Sequence, residues 1–465
     1  MALKLKASLL VIAAFLAATI GLGWSSAGNV SANTRTIGAD RIVSWEPLPD
    51  PDGELCEMPA STSLEPPAAV LQQGRSGRVA ASQEAARPSN VDKMPVRYIK
   101  DPSPAWSSIA VNAENDMVVM TDENLFRIVE YSRSESSLPG GSLSEPHRVI
   151  AGPHTRTEMM CGTYIDPKTL EVYVTNNDTQ DWMPVFSKNA RGDAVPDRLL
   201  ATPHRTWGIA ADETRQELYL TVEHPPQVIV YRKTASGTEA PLRMLEGDAT
   251  ELADPHGLAL DMKNNLIIVS NHGHRRFYGG AAVSSMTTTW EEWIGRPGSL
   301  NTVPRRMIPG LGSFELPSIN IYARGASGNT PPLRVIKGPR TRLNWPGHVV
   351  VHEDRGEIFV ANDADDSVLV FRTSDKGDVA PIRVIRGALT SVKNPTGLSL
   401  DVKNGELWVA NMGNYSATVY PITANGDVAP LRTIRGGPTD RVGLMIGNPG
   451  AVGYDSKRQE ILVPN

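Results

Sequence analysis

From about residue 95 onward the chain is written in short apolar–polar alternations, and one set of four such runs keeps recurring. The clearest set is Gly397-Leu398-Ser399-Leu400-Asp401, Glu406-Leu407-Trp408-Val409-Ala410-Asn411, Ala417-Thr418-Val419-Tyr420 and Leu431-Arg432-Thr433-Ile434-Arg435. Alternation over runs this short, rich in β-branched and aromatic residues, predicts half-buried strands, and Asn404-Gly405 predicts a tight hairpin between the first two. Four antiparallel strands per repeat make one blade of a β-propeller, numbered here from the central axis outward.

A Pro-x-Arg phrase marks the fourth run and gives the period. Its arginines are Arg97, Arg148, Arg198, Arg243, Arg334, Arg383 and Arg432, at steps of 51, 50, 45, 91, 49 and 49 residues. A period of about 40–50 residues is that of propeller blades. First strands are expected near Trp106, Cys161, Trp207, His256, Gly347, Thr396 and Gly450. The last repeat stops after two strands, at Asn465. Its fourth is assigned to Val96–Lys100 and its third to Arg41–Trp45, so both termini share a closing blade. The predicted fold is all-β, a seven-bladed propeller closed in this way, with six blades as the alternative. Each phrase arginine is expected to be a solvated charge on an outer edge, where charge discourages edge-to-edge pairing. The Gly-Asp-x-x-Pro runs at Gly192, Gly377 and Gly426 are read as structural turns.

Outside the repeat, the pattern changes three times. Residues 1–32 have Lys4 and Lys6, an apolar run from Ala7 to Trp24, then small residues to Ala32, the order of a secretory signal peptide. An uncleaved anchor is the other reading, and would be the only membrane contact. Residues 33–47 hold the closing strand, 48–94 form a Pro/Ala/Ser-rich linker or arm, and 95–465 are the propeller. Its fourth blade carries an insertion of about 42 residues (91 minus 49), placed at 274–316 and containing Trp290 and Trp293. Long insertions in compact domains are commonly functional.

Composition narrows the chemistry. The chain has 465 residues and a formal charge of -5, with its basic residues scattered, so no stripe exists to neutralise a nucleic-acid backbone. There are two cysteines, Cys56 and Cys161, and no Cys-x-x-Cys-His, which excludes covalent haem. In an oxidising compartment the pair is a disulfide candidate, and the alternative is two separate thiols, with a Cys161–His256 dyad conceivable. No nucleophile elbow, phosphate loop or dinucleotide fingerprint occurs.

The phrases Val172-Tyr173-Val174-Thr175-Asn176, Ile358-Phe359-Val360-Ala361-Asn362 and Leu407-Trp408-Val409-Ala410-Asn411 resemble the NHL and YVTN repeat propellers of exported bacterial proteins. The resemblance covers about residues 95–465. It implies a periplasmic or extracellular binding module for a protein, peptide or glycan far more often than a particular reaction. Some relatives, the amidating lyases and gluconolactonase-like hydrolases, hold a divalent metal on the axis, but their full residue patterns are not matched.

In a propeller, the loops leading into the first strand and out of the second surround the channel mouth. Ligand candidates there are Trp106, Trp207, Trp345, Asn271 and Asn362, with Trp290 and Trp293 from the insertion. The recurrence of Asn at the end of the second strand also fits a turn-capping role. A site should appear where the repeat is broken: at His256, His348, Glu223-His224 and His272-Gly273-His274. Imidazoles with a carboxylate are ligands of the zinc type, and His256, His272, His348 and Glu223 are the metal candidates, for zinc or calcium. They would support the alternative function, a metal-dependent lyase or hydrolase with a histidine-lined axial site. Rim histidines that merely hydrogen-bond are the competing explanation.

Overall fold

The structure is a computed structural model that describes residues 102–465, except 138–142, 178–179, 280–305, 439–452, 456, 458–459 and 463–465. Only the backbone is described for 275–279, 306–314, 453–455 and 460–462. The chain divides at Pro95/Val96 into two units, and the described residues belong to the second. No described helix is long and apolar enough to cross a membrane.

Six four-stranded antiparallel sheets follow one another along the chain. The first comprises β1 (Trp106–Asn112), β2 (Met117–Asp122), β3 (Arg127–Ser132) and β4 (Arg148–Ala151). The second comprises β5 (Met160–Ile165), β6 (Val172–Asn176), β7 (Trp182–Phe186) and β8 (Arg198–Ala201). The third comprises β9 (Thr206–Asp212), β10 (Glu217–Val222), β11 (Gln227–Arg232) and β12 (Arg243–Glu246). In the fourth, β13 (Pro255–Asp261) and β14 (Leu266–Asn271) are followed by a separate hairpin, β15 (His274–Gly279) with β16 (Arg306–Phe314). The sheet then resumes with β17 (Ser318–Ala323) and β18 (Arg334–Lys337). The fifth is β19 (Pro346–His352), β20 (Glu357–Asn362), β21 (Ser367–Arg372) and β22 (Arg383–Ile385). The sixth is β23 (Pro395–Asp401), β24 (Glu406–Asn411), β25 (Ser416–Pro421) and β26 (Arg432–Arg435).

The protein is a β-propeller, and its ring closes at six blades rather than seven. The innermost strands pack in order, β1 on β5, then β9, β13, β19 and β23, and β23 returns to β1. At that seam Thr396 Oγ1 donates to the Trp106 carbonyl at 3.0 Å, and the Val111 N–H donates to Ser399 Oγ at 3.2 Å. Gly397 approaches so closely that a Cβ there would lie 2.8 Å from Ser108 Cα. Trp106 and Trp408 share one apolar cluster across the seam. No gap is left for another blade. Of the strands assigned to the closing blade, Arg41–Trp45 and Val96–Lys100 lie outside the described residues. The run expected near Gly450 forms β27 (Gly453–Asp455) and β28 (Glu460–Leu462), a two-stranded sheet of its own.

The Gly-Asp-x-x-Pro turns latch neighbouring blades. Ile150 bridges Gly192 of the next blade, Ile336 bridges Gly377, and Ile385 bridges Gly426. The aspartate that follows caps the preceding blade's loop, as Asp378 Oδ1 accepts the Arg340 N–H at 2.7 Å and Asp427 Oδ1 the Leu389 N–H at 2.8 Å. The sixth blade makes the equivalent latch to the first, with the Ser137 N–H on the Thr433 carbonyl at 2.7 Å and the Ser144 N–H on Arg435 at 3.0 Å.

Arg97 lies outside the described residues, and the other six phrase arginines, buried or half-buried, are not the solvated edge charges expected from the pattern. Arg198, Arg243, Arg383 and Arg432 fold back across the blade to Glu171, Glu217, Glu357 and Glu406, at 2.8, 2.8, 2.8 and 2.7 Å. Each guanidinium also lies over the aromatic ring two residues beyond that glutamate: Tyr173, Tyr219, Phe359 or Trp408. The pairing follows from a Glu-x-aromatic phrase at the start of the second strand, and it binds the outer strand to the blade interior.

Candidate functional site

Three repeat positions converge at one end of the ring. The first is the loop residue just ahead of the innermost strand: Ala105, Met159, Arg205, Asp254, Trp345 and Asn394 in successive blades. Its carbonyl accepts the N–H of the residue that follows the second strand, as in His272 to Asp254 at 3.0 Å. All but Ala105 sit at positive φ, from 42° to 65°. The second is the bulged residue after the start of the innermost strand: Ser107, Cys161, Trp207, His256, Gly347 and Thr396. Every blade shifts register there, a bulge that frees one residue from the ladder and re-aims it. The third is the residue after the second strand: Glu123, Asn177, Glu223, His272, Asp363 and Met412.

In the fourth blade these three positions are Asp254, His256 and His272, all metal-ligand types. Each offers one donor atom, and these atoms lie within 4.8 Å of one another. The His256 and His272 rings stack with centroids 3.4 Å apart, and Asp254 Oδ2 is 3.9 Å from His272 Nδ1. The Asp254 carboxylate also forms a second cluster with His224 and His274, again within 4.8 Å, with Oδ1 3.5 Å from His224 Nε2. Donors around a tetrahedral zinc with bonds of ~2.0–2.1 Å are about 3.4 Å apart, so binding a cation would close donors now as much as 4.8 Å apart by up to about 1.4 Å and would turn the stacked imidazoles until their in-plane lone pairs converge. His272 Nε2 is buried with no hydrogen-bond partner among the described residues. Native proteins seldom leave such a nitrogen unsatisfied. Burial, then the neighbouring His256 and His224, push His272 well below the ordinary histidine range, so it stays neutral, the form that ligates metals.

Of the metal candidates read from the sequence, the structure brings His256 and His272 together, sets Glu223 against His256 and leaves His348 apart, on the far side of Trp207. Glu223 Oε1 lies 3.5 Å from His256 Nε2 and accepts from Asn177 Nδ2 at 2.8 Å. His348 occupies the place that Gly162, Gly208, Gly257 and Gly397 hold in other blades, and points to the next blade, its Nδ1 accepting the Leu398 N–H at 3.3 Å. Burial pushes it down to about 4. Asp254, the residue common to both clusters, was missed. Its sequence signal was a departure at the loop position, where the other blades have no carboxylate.

The aromatic and amide candidates separate as well. Trp106 is fully buried in the seam between the first and sixth blades. Trp207 is buried between His256 and His348, at ring distances of 4.9 and 6.4 Å. Trp345 is 56% exposed and stands edge-on to His272 at 5.1 Å. Asn271 and Asn362 are fully buried, their Oδ1 atoms capping the Ala253 and Asn344 N–H groups at 3.0 and 2.6 Å. Asn176 and Asn411 cap in the same way, which makes this asparagine a device of the repeat. Trp290, Trp293 and Cys56 lie outside the described residues, so the disulfide pairing does too. The Cys161 thiol donates to Glu123 Oε1 at 3.2 Å.

Around the same mouth, burial raises Glu123 to about 7, with Asp122, Glu223 and Asp363 adding to the shift and the Cys161 bond opposing it. Burial likewise lifts Asp363 to about 6, against a side-chain bond from Asn394. The mouth therefore combines neutral imidazoles with carboxyl groups that hold protons near neutral pH.

No family model matches this sequence, and no curated protein does. Among solved structures, hydrazine synthase of Kuenenia stuttgartiensis is similar over 70% of this chain and 79% of its own, at 12% identity and a TM-score of 0.43. A likeness of that size carries no inference about function.

Proposed function

We propose that this chain is a metal-binding propeller module, one that uses a divalent cation of the zinc class at the fourth-blade rim to hold a ligand at the channel mouth. The observation that carries this reading is the coincidence of Asp254, His256 and His272 at the three rim positions of a single blade, with donor atoms within 4.8 Å. Two imidazoles and a carboxylate leave a tetrahedral cation one open position, the arrangement of reactive rather than closed zinc sites. Calcium fits less well, because it takes about six to eight oxygen ligands. Trp345 offers an exposed aromatic face beside that position, suited to a peptide or glycan.

The phrases at Ile358–Asn362 and Leu407–Asn411 support assigning the repeats to the NHL or YVTN type. The basic, apolar and small-residue order of residues 1–32 supports export to a bacterial periplasm or exterior. Elemental analysis of untagged protein purified without chelators tests the function. A stoichiometric zinc-class ion that His256→Ala weakens supports it, and protein without stoichiometric metal overturns it.

A second reading, a metal-dependent lyase or hydrolase, is favoured by Glu123. A carboxyl group held near pH 7 at the same mouth is suited to general acid–base work. Turnover of ester, glycoside or peptide substrates that disappears in Glu123→Gln would select it over the binding module. Turnover unchanged by that substitution would remove it.

A further inference from the structure

The donors around Asp254 outnumber what one cation needs, and they fall into two groups. His256 and His272 form one pair, stacked at 3.4 Å. His224, which follows Glu223 on the third blade, and His274, the first residue of β15, form another pair with ring centroids 5.3 Å apart. In each pair, one donor atom from either imidazole and one from Asp254 lie within 4.8 Å of one another. Asp254 Oδ1 is 3.5 Å from His224 Nε2 and 3.8 Å from His256 Nδ1, and Oδ2 is 3.9 Å from His272 Nδ1. The carboxylate therefore stands between the two imidazole pairs.

We infer that the rim holds two divalent cations bridged by the Asp254 carboxylate, one on His256 and His272 and one on His224 and His274. This rests on the metal-binding reading above. A carboxylate has two oxygens with lone pairs to spare, and can give one to each of two cations, which in paired sites lie ~3.5–4 Å apart. The ligand types, imidazole with one carboxylate on each side, suit zinc, nickel or copper rather than calcium or magnesium. Each cation keeps an open position, so a bridging anion such as a carboxylate or phosphate group of the ligand could span both. Because His274 opens the hairpin β15–β16, the second cation also fastens that insertion to the ring.

The backbone explains why an aspartate can stand there. Asp254 is in the left-handed region at φ 58°, which Asp and Asn tolerate better than most residues. Its carbonyl accepts the His272 N–H at 3.0 Å and the His256 Nδ1–H at 3.1 Å, so the backbone orients both imidazoles and leaves Nε2 as the His256 nitrogen with a lone pair for a cation. Asn394 holds the same left-handed conformation at the same repeat position, which makes Asp254→Asn a substitution that keeps the turn and removes the charge.

The test is metal stoichiometry in untagged full-length chain, loaded with zinc, dialysed and analysed by mass spectrometry, with thermal unfolding to confirm that each variant is folded. Wild type is expected to hold two ions, His274→Ala one, His272→Ala one, and Asp254→Asn fewer than one. Copper(II) loading supplies a second readout, since a bridged pair loses electron paramagnetic resonance intensity by coupling and His274→Ala restores it. A single ion in wild type overturns the bridged pair while leaving the proposed function standing. No ion in wild type overturns both. Two ions that persist in His274→Ala place the second elsewhere and also overturn the inference.

Discussion

Closure between β23 and β1 makes a sharp prediction about which end of the chain is dispensable. Replacing Gly397 by Val puts a branched side chain where even a Cβ would lie 2.8 Å from Ser108 Cα, 3.0 Å from Ile109 N and 3.1 Å from Ser108 C. These are backbone atoms of a strand held on its other side by β2, so neither partner can yield cheaply. Overpacking of this kind costs about 1–3 kcal/mol, and the rigid neighbours put the expected cost near the top of that range. At roughly 2 °C per kcal/mol for a large domain, the midpoint should fall by about 6 °C. A chain ending at Pro438 removes β27 and β28 but keeps the Thr396, Ser399 and Arg435 contacts that join the sixth blade to the first. Its midpoint should match that of the intact protein to within about 2 °C. Thermal unfolding followed by circular dichroism reads both. A truncated chain that unfolds while Gly397→Val is neutral would instead place the seam through the C-terminal strands.

Further predictions concern charge and metal. Glu123 has a folded-state pKa of about 7, above its ordinary 4.5, so the folded state binds the proton more tightly and stability declines as pH rises between those values. The decline attributable to it is about 3 kcal/mol, and Glu123→Gln should flatten the midpoint profile between pH 5 and 7; parallel profiles would show that the group does not titrate there. Glu357 shifts the other way, to about 2, chiefly through its bonds from Arg383. Its contribution is present above pH 4.5 and lost as pH falls toward 2, so Glu357→Gln should cost about 2 kcal/mol at pH 7 and little at pH 2.5, a difference measurable by urea unfolding. Chelation of a bound cation should lower the midpoint of wild type by several degrees and leave Asp254→Asn unmoved, since a ligand at about 100 times its Kd stabilises by about 2.7 kcal/mol.

The blade was legible in the alternation because a strand's two faces are a local property. Leu407, Val409 and the Asn411 cap behave as their spacing predicts. Ring size was not legible. The alternation at β27 and β28 reads like the first two strands of a blade, yet whether a strand joins the ring depends on non-local packing such as that of Gly397 on Ser108. The phrase arginines misled for a related reason. A charge every 50 residues looks like surface, and its partner, the glutamate some 26 residues earlier, becomes visible only once the second and fourth strands lie in one sheet. The site was half legible. His256 and His272 stood out as departures from the repeat, whereas Asp254 sits in an Asp-Pro pair that reads as turn chemistry.

Whether the fourth-blade rim binds metal can be read from anomalous diffraction of zinc-loaded crystals. A bound zinc should give an absorption-edge-dependent peak within bonding distance, ~2.0–2.2 Å, of Asp254, His256 and His272 donor atoms. A zinc peak bound only elsewhere on the chain, with this cluster closed on itself by hydrogen bonds, would contradict it.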